Sequence, residues 1–573
     1  MAVVALGAFD FDDNRLAHVP EDQIPTTSQS PSPRCSAPRP RLYPLPVLSS
    51  AHCEASRTGT GTASAAEDVN TSSGYAEWLA ARGVIGLENI RLSKDGIISL
   101  SDAGHQLFSS RWKRFGRRPD PAVVVAFPLT DDKVLSEATI CADPSYAKYA
   151  DKGYNMIIMY LIVERMKAEH GGADPWIRHI AAWHLSLPIL WSFNEVDWLR
   201  GTSLYRAVMH QRDSLQQEWQ HTGVRQASSE LARAAGLRSP TFEDFTWATA
   251  AFTLFAVPIP APVAQEIDEN ENPHGTHSLQ IVPGLDMFTP GTGTATQAPA
   301  EATCHLDIDA SRRQLCVVCP ATNASVALTL SHGGEDASVE QMLFQFGALD
   351  VDPMNEVLMI ECPIPPVQEW GTSIKRRFAL LLEGDLRPQL FLSRRQLAEI
   401  RKTVGKRGLL DAPARRQRFE RMFPPGVRET IEIFVMDEDQ LQARIAGAED
   451  RGTADSQETS LAEAGMRMAV LTTVVRLLEV KQYQLESSEH GTGTLEADER
   501  LLHGIDEEQR GTTAMPHSGP TARQLAALRH RMEQKRLVRD YLEIYSAALH
   551  DEMAHMKELS LEAVQLQHRT TTL

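Results

Sequence analysis

LSLPILWSFNEVDWLRGTSL, residues 185–204, stops one element and starts another within a few residues. Pro188 cannot continue a helix from the preceding run, because its ring fixes φ and it has no N–H. Ser192 followed by Glu195 has the spacing of a capping box, so a helix is expected to open near Ser192. Trp191, just ahead of that cap, is placed to pack on Val196 as a hydrophobic staple, and Trp198 and Leu199 continue the apolar face. Gly201 stands where the helix should end. Periodicity accounts for an amphipathic helix and its stop. It does not account for the whole string of Leu-Pro-x-x-Trp-Ser, an acid at Glu195, and Leu199-Arg200-Gly201-Thr202.

The surrounding chain bounds what that string can belong to. At 573 residues it is too long for one core, so two or three domains with tails are expected. Seventy-five acidic residues against 57 basic ones leave a net charge of -18, which argues against nonspecific nucleic-acid binding and for a protein partner. The longest apolar run, residues 156–163, is far short of the roughly 20 residues that span a bilayer, so the chain reads as soluble and intracellular. Seven cysteines, odd in number and unevenly spaced, do not suggest a disulfide framework and point to a reducing compartment. Cys304-His305 with Cys316-Val-Val-Cys319 has zinc-ligand spacing, but residues 315–319 read equally as a buried strand with Cys as a small hydrophobe. The strand reading is preferred, and no metal site is assigned.

Four compositional regions follow. Residues 1–70 are rich in Ser, Thr, Pro, Ala and Gly and are expected to be disordered. Between residues 24 and 65 a single acid, Glu54, accompanies several Arg, which is transit-peptide composition, whereas the opening FDFDDN argues the other way. A plastid address, the cytoplasm and the nucleus all stay open. YAEWLAARG reads as a short helix ending at Gly83, followed by strands and turns that include VVVAFPLT at residues 123–130. Residues 141–256 read as helical, with an apolar helix over 154–167 and six of the nine tryptophans between Trp176 and Trp247. After CPIPP at residues 362–366 the chain reads as helical to its end, with one terminal helix over 541–566 and a loop at 447–460. The basic run over 375–421 reads as a solvated helix face.

Taken in order, these strings resemble the SET-domain methyltransferases typified by the Rubisco large-subunit lysine methyltransferase. The resemblance implies an α+β fold: a β-rich SET domain split by a helical insertion, followed by an all-α domain. Its boundaries would be 71–140 and 257–360 for the SET halves, 141–256 for the insertion and 361–573 for the substrate-binding domain. It implies S-adenosylmethionine as cofactor and a protein lysine, or as in a relative a histidine, as acceptor. IVPGLDMFTP resembles the family's Val-Pro-x-x-Asp-x-x-Asn-His motif, which puts Asp286, Thr289 and Pro290 at cofactor positions, with Thr-Pro where the family has Asn-His. SVALTLSHGGEDASVEQMLFQFGAL resembles the following strand, loop and helix, with Ser338 and Val339 at a cofactor pair and His332 and Phe346 at the two tyrosine positions. FTWATAAFTLFA keeps Trp247-Ala248 but carries Leu254-Phe255 for the family's Ser-Arg, so Trp191, Trp247 and Phe255 are the implied substrate cleft. The family's Gly-x-Gly loop has no counterpart; Gly96, Gly104 and the basic RWKRFGRRPD stand in that region. Thr494, Glu496, Asp498, Leu501 and Leu502 match a turn of the family's second domain, where Thr494 is read as the helix cap. Two functions follow: a protein-lysine methyltransferase, or a catalytically impaired SET-like protein that binds a protein partner.

Overall fold

The computed structural model describes residues 68–571 except 93–97, 105, 109–120, 131, 182–184, 261–276, 289–300, 321–326, 331–336, 348–352, 366, 405–411, 447–455 and 512–519. Thr289, Pro290, His332 and nearly all of the segment read as disordered thus lie outside the described residues, as does most of the expected 447–460 loop. The chain forms two compact units. One comprises Met1–Phe193, Arg206–Ala337 and Gln341–Val351; the other comprises Asn194–Tyr205, Ser338–Glu340 and Asp352–Leu573.

In the first unit, helix α1 (Asp68–Ala81) ends before Gly83, whose φ of +88° is the left-handed conformation that terminates helices. Strands β1 (Ile90–Leu92), β2 (Ile98–Leu100) and β3 (Ala122–Pro128) precede a helical run. That run contains α2 (Tyr154–Ala168), α3 (Pro175–Ala181), α4 (Ser203–His221), α5 (Val224–Ala234) and α6 (Phe242–Phe255). Residues of α2 from Met156 to Met159 are fully buried without a gap, so this part of the helix is apolar all round and must be wrapped, as α2 is by α3, α5 and α6. A capping box starts α6: the Thr241 side chain accepts from the Asp244 N–H, and Asp244 accepts from the Thr241 N–H at 2.8 Å.

Strands β4 (Ala256–Pro260) and β5 (His277–Ile281) form an antiparallel pair of their own. The main sheet adds β6 (Glu301–Asp309), β7 (Gln314–Cys319) and β8 (Ala327–Leu330) in the order β1-β2-β8-β6-β7-β3. The expected strand at 315–319 is therefore β7. Its residues alternate: Leu315, Val317 and Cys319 face the main core, while Cys316 and Val318 pack with Ala126 on the other side. Cys304 and Cys319 are joined by a disulfide, contrary to the all-reduced reading of the sequence. The spacing suggested a local CxxC site, but strand parity turns Cys316 away from Cys319. Among the described residues no group of three or more His, Cys, Asp or Glu could hold a metal. Helix α7 (Val339–Phe346) follows.

The second unit is not wholly helical, which corrects the all-α expectation. Strands β9 (Val357–Glu361) and β10 (Gln389–Ser393) pair antiparallel on either side of α8 (Thr372–Glu383). Sequence pattern alone makes QLFLS part of a helix; Asp385, at φ +51°, and Pro388 end α8 before it, and its buried residues Leu390 and Leu392 face one way. Helices α9 (Arg394–Val404), α10 (Val427–Val435), α11 (Ser456–Glu486), α12 (Leu495–Gly511) and α13 (Ala522–Thr571) follow, with further helices at Ala412–Arg421 and Glu438–Ile445 among them. The terminal helix is 50 residues long and begins well before Tyr541. It packs along α11 through Val474, Leu478, Tyr541 and Tyr545. Thr494 caps α12 by accepting from the Ala497 N–H at 3.3 Å. Among the described residues no helix is long and apolar enough to cross a membrane.

Candidate functional site

The turn that carries Asp286 depends on Gly284. Its φ is +98°, and a Cβ there would lie 2.8 Å from Leu79 Cδ2 and 2.9 Å from Phe127 Cε1. Only glycine lets the backbone approach so closely. The tight turn lets the Gly284 N–H donate to Asp286 Oδ1 at 2.8 Å. Two distant helices supply the other donors. Trp176 Nε1 of α3 donates to Oδ1 at 3.0 Å, and the Tyr75 hydroxyl of α1 lies 3.1 and 3.2 Å from the two oxygens. His179, one turn after Trp176, has Nε2 3.6 Å from Oδ2 and stacks on Tyr75 with ring centroids 4.3 Å apart.

Burial sets the protonation here. It pushes the Tyr75 hydroxyl well above its usual range, with the Asp286 charge adding to the rise, so Tyr75 is a neutral donor. Burial lowers the His179 imidazole and the Asp286 charge opposes the shift. The arrangement anchors: one carboxylate ties α1, α3 and the 282–288 turn together. Its oxygens are engaged internally rather than held open toward a ligand.

Beside this anchor lies an aromatic wall. Trp176 meets Phe255, at the end of α6, edge to face at 6.4 Å. Phe346, at the end of α7, is buried in the same apolar core. Gly347 follows with φ +69°, and a Cβ on it would lie 2.5 Å from the Ser186 carbonyl carbon, so this helix end abuts the 185–191 backbone directly. Trp191 Nε1 donates to Ser186 O at 2.7 Å, and the Arg212 guanidinium donates to the carbonyl of Trp191. Residues 185–191 are thus held in a fixed curve against Phe346-Gly347.

Trp247 sits elsewhere in the unit. The Arg165 guanidinium lies 4.7 Å over its ring, and Asp244 pairs with Arg165 at 3.7 Å and with Arg238 at 2.6 Å. That ionic cluster ties Trp247 into the α2–α6 helical core. Ser338 precedes α7 and Val339 begins it, and with Glu340 they group with the second unit. The structure therefore brings Asp286 and Phe255 together through Trp176, and Phe346 and Trp191 together through Ser186. Sequence reading missed Tyr75, Trp176, His179 and Ser186; the only available signal was the i, i+3 pair of Trp176 and His179 on one short helix.

Comparison with known proteins follows from this geometry. No family model matches the sequence, and no curated protein matches it significantly. Solved structures do. The SET domain of LSMT bound to lysine and AdoHcy is similar with a TM-score of 0.54 and 12% identity, covering 84% of this chain and 91% of that one. Rubisco LSMT bound to AdoMet is similar with a TM-score of 0.52 and 12% identity, covering 84% and 93%. Over most of its length, then, this chain has the fold seen in those SET-domain structures.

Proposed function

We propose that the chain is an S-adenosylmethionine-dependent protein methyltransferase whose acceptor is a lysine side chain. The likeness of fold over 84% of the chain to structures that hold AdoMet, or AdoHcy with lysine, carries the reading. Thr289, Pro290, Ser338 and Val339 are assigned to the cofactor side, and His332 and Phe346 to the acceptor side. Trp191 and Phe255 are assigned to the substrate cleft; Trp247, held by Arg165 in the α2–α6 core, is not. Asp286 does not fit as a direct cofactor ligand, because Tyr75, Trp176 and Gly284 occupy its oxygens. Its part is to hold the turn that leads to Thr289.

When bound, S-adenosylmethionine supplies an electrophilic methyl carbon on its sulfonium. The chain has to present a neutral amine in line with that carbon, and a free lysine is almost wholly protonated at neutral pH. An apolar surface such as that of Phe255 and Phe346 disfavours the charged ammonium and so favours the nucleophilic form. Phe346 has no hydroxyl with which to align the nitrogen, so alignment falls to main-chain carbonyls.

Calorimetry and thermal melting of the full chain with S-adenosylmethionine test this. Saturation at a hundred times Kd stabilises by about 2.7 kcal/mol; no heat and no stabilisation at high cofactor concentration ends the reading. Methyl transfer to lysine, followed by mass, is expected to rise at least about tenfold in Phe346→Tyr, equivalent to about 1.4 kcal/mol of barrier. Cofactor binding with no transfer by either protein would leave the partner-binding alternative.

A further inference from the structure

Strand β6 changes partners halfway along. Glu301–Cys304 run parallel to Ala327–Leu330 of β8, whereas His305–Asp309 pair antiparallel with residues of β7. Cys304 is the last residue of the first ladder, opposite Leu330. On β7 the last residue paired to β6 is Val318, opposite His305, and Cys319 lies one position beyond it. The disulfide between Cys304 and Cys319 stands at this changeover, continuing covalently where the β6–β7 ladder has ended. Its Cα separation of 4.2 Å is that of facing residues on antiparallel strands. Cys319 also pairs with Ala122 of β3, so the bond sits where four strands, β8, β6, β7 and β3, meet in register.

The pairing is specific. Cys316 lies on the same strand but faces the opposite side of the sheet with Ala126 and Val318. Both bonded cysteines are fully buried among apolar residues that include Val317 and Leu328. An unbonded Cys behaves as a small hydrophobe and is at home in such a site, so the fold can hold the pair as two thiols as well as a disulfide. Burial also holds thiols in their unreactive protonated form, as it raises the neighbouring Cys316. Exchange therefore waits for the changeover to open.

We propose that Cys304 and Cys319 are a reversible redox staple: oxidised, they lock β6 to β7 at the partner change; reduced, they leave that junction free to open. An external disulfide such as oxidised glutathione is the oxidant. One Cys thiolate attacks it, forming a mixed disulfide and releasing one glutathione; the second Cys displaces the other. One protein S–S bond forms, one glutathione S–S bond breaks, and the two cysteine protons leave on the two glutathione thiols. Two electrons pass from the protein sulfurs to glutathione, and an external dithiol reverses the step. Closing a loop with a sequence separation of 15 shifts an opening equilibrium by on the order of a hundredfold. This inference is independent of the methyltransferase reading.

The test is to equilibrate the full chain in glutathione buffers of graded ratio, approached from both the reduced and the oxidised side. Free thiols are then trapped by alkylation and the Cys304 and Cys319 peptides weighed. A single two-electron titration, superimposable from both directions, is expected, and the oxidised form should melt roughly 5 to 10 °C higher in the first unit. Cys316→Ala should keep both effects. Cys304→Ala/Cys319→Ala should show no redox response and melt with the reduced form; should that variant not fold, the wild-type chain compared in its two states decides alone. Thiols that stay free in the most oxidising buffer overturn the proposal. So does a bond that persists in the most reducing one, or identical melting of the two forms.

Discussion

Asp498→Ala should destabilise the second unit by about 4 kcal/mol. Asp498, on α12, is almost fully buried beneath two cations of α13. Arg531 donates to both its oxygens, Nη2 at 2.6 Å and Nε at 3.0 Å, and Lys535 Nζ lies 2.6 Å from Oδ2. Removing one partner of a buried ionic cluster costs about 3–5 kcal/mol, because the surviving charges stay buried without compensation. Here the two survivors differ. Burial already lowers the Lys535 ammonium, with Asp498 opposing that shift, so Lys535 can shed its proton when Asp498 is gone. Its remaining partners, Thr492 Oγ1 at 2.9 Å and the Gly493 carbonyl at 2.7 Å, can keep it in place. A guanidinium has no such outlet. Among the described residues Arg531 keeps the Trp198 carbonyl at 3.1 Å and the Trp198 ring, 5.1 Å from its guanidinium. The cost should therefore fall mainly on Arg531, near the middle of the range. Urea unfolding of the full chain, followed by far-UV circular dichroism and analysed for two transitions, measures it. Asp498→Leu/Arg531→Met/Lys535→Leu should recover most of the loss, since replacing a whole buried ionic cluster by apolar residues is often neutral or better. A loss below about 1 kcal/mol for the single variant, or a triple variant no better than the single one, would refute the argument.

Gly201→Ala should cost about 2–5 kcal/mol by the same assay: its φ is +86°, and the new Cβ would overlap the Gln484 carbonyl and lie 3.0 Å from Leu485 Cα, which no rotamer relieves. Asp286→Ala should destabilise the first unit by about 3 kcal/mol or more, because it strips the acceptor from Tyr75, Trp176 and Gly284 together. The second unit should also have a pH optimum. His530 is fully buried, with Nδ1 3.5 Å from Glu356 and Nε2 3.7 Å from Glu340. Burial pushes the Glu356 carboxyl up to about 8, a contribution present below its unfolded value and lost as pH rises through 8. Burial pushes the His530 imidazole down to about 3, a contribution present above its unfolded value and lost as pH falls through 3. Melting temperature against pH should peak near about pH 5 to 6, and Glu356→Gln, which mimics the protonated form, should flatten the alkaline limb; an unchanged limb in that variant would discard the assignment.

What the sequence made legible was local. The strongly apolar α2, the stop at Gly83 and the Thr494 cap each depend on neighbours a few residues away, and each stands where periodicity and cap chemistry put it. The site was not local. Asp286 draws two of its three donors from 211 and 110 residues upstream, and no spacing rule links such residues. The cysteines mislead for the same reason: the visible CxxC pair falls on opposite faces of β7, while the true partner of Cys319 is chosen by strand register. The helix expected from Ser192 shows how tertiary partners override a local signal. It is one turn, Phe193–Val196, passing into a 3₁₀ turn at Asp197–Leu199. Long-range groups hold it there: Thr521 donates to Glu195, and Arg531 to the Trp198 carbonyl.

Those holds explain why residues 185–204 have so particular an order. The string is divided between the units, its first nine residues in one and the rest in the other. Ser186 and Trp191 must form one curve, against Gly347 and under Arg212. Glu195, Trp198, Gly201 and Ser203 must meet a different set of partners: Thr521, Arg531, Gln484 and Glu340, the last by a 2.5 Å hydrogen bond from Ser203. A generic amphipathic helix answers to one face. This segment answers to two cores in twenty residues, with a proline and a glycine fixing where it bends, so its buried positions, Leu187, Trp191, Val196, Leu199 and Leu204 among them, are constrained by packing while Phe193 stays exposed. Its letters can therefore persist whether or not any methyl group is transferred.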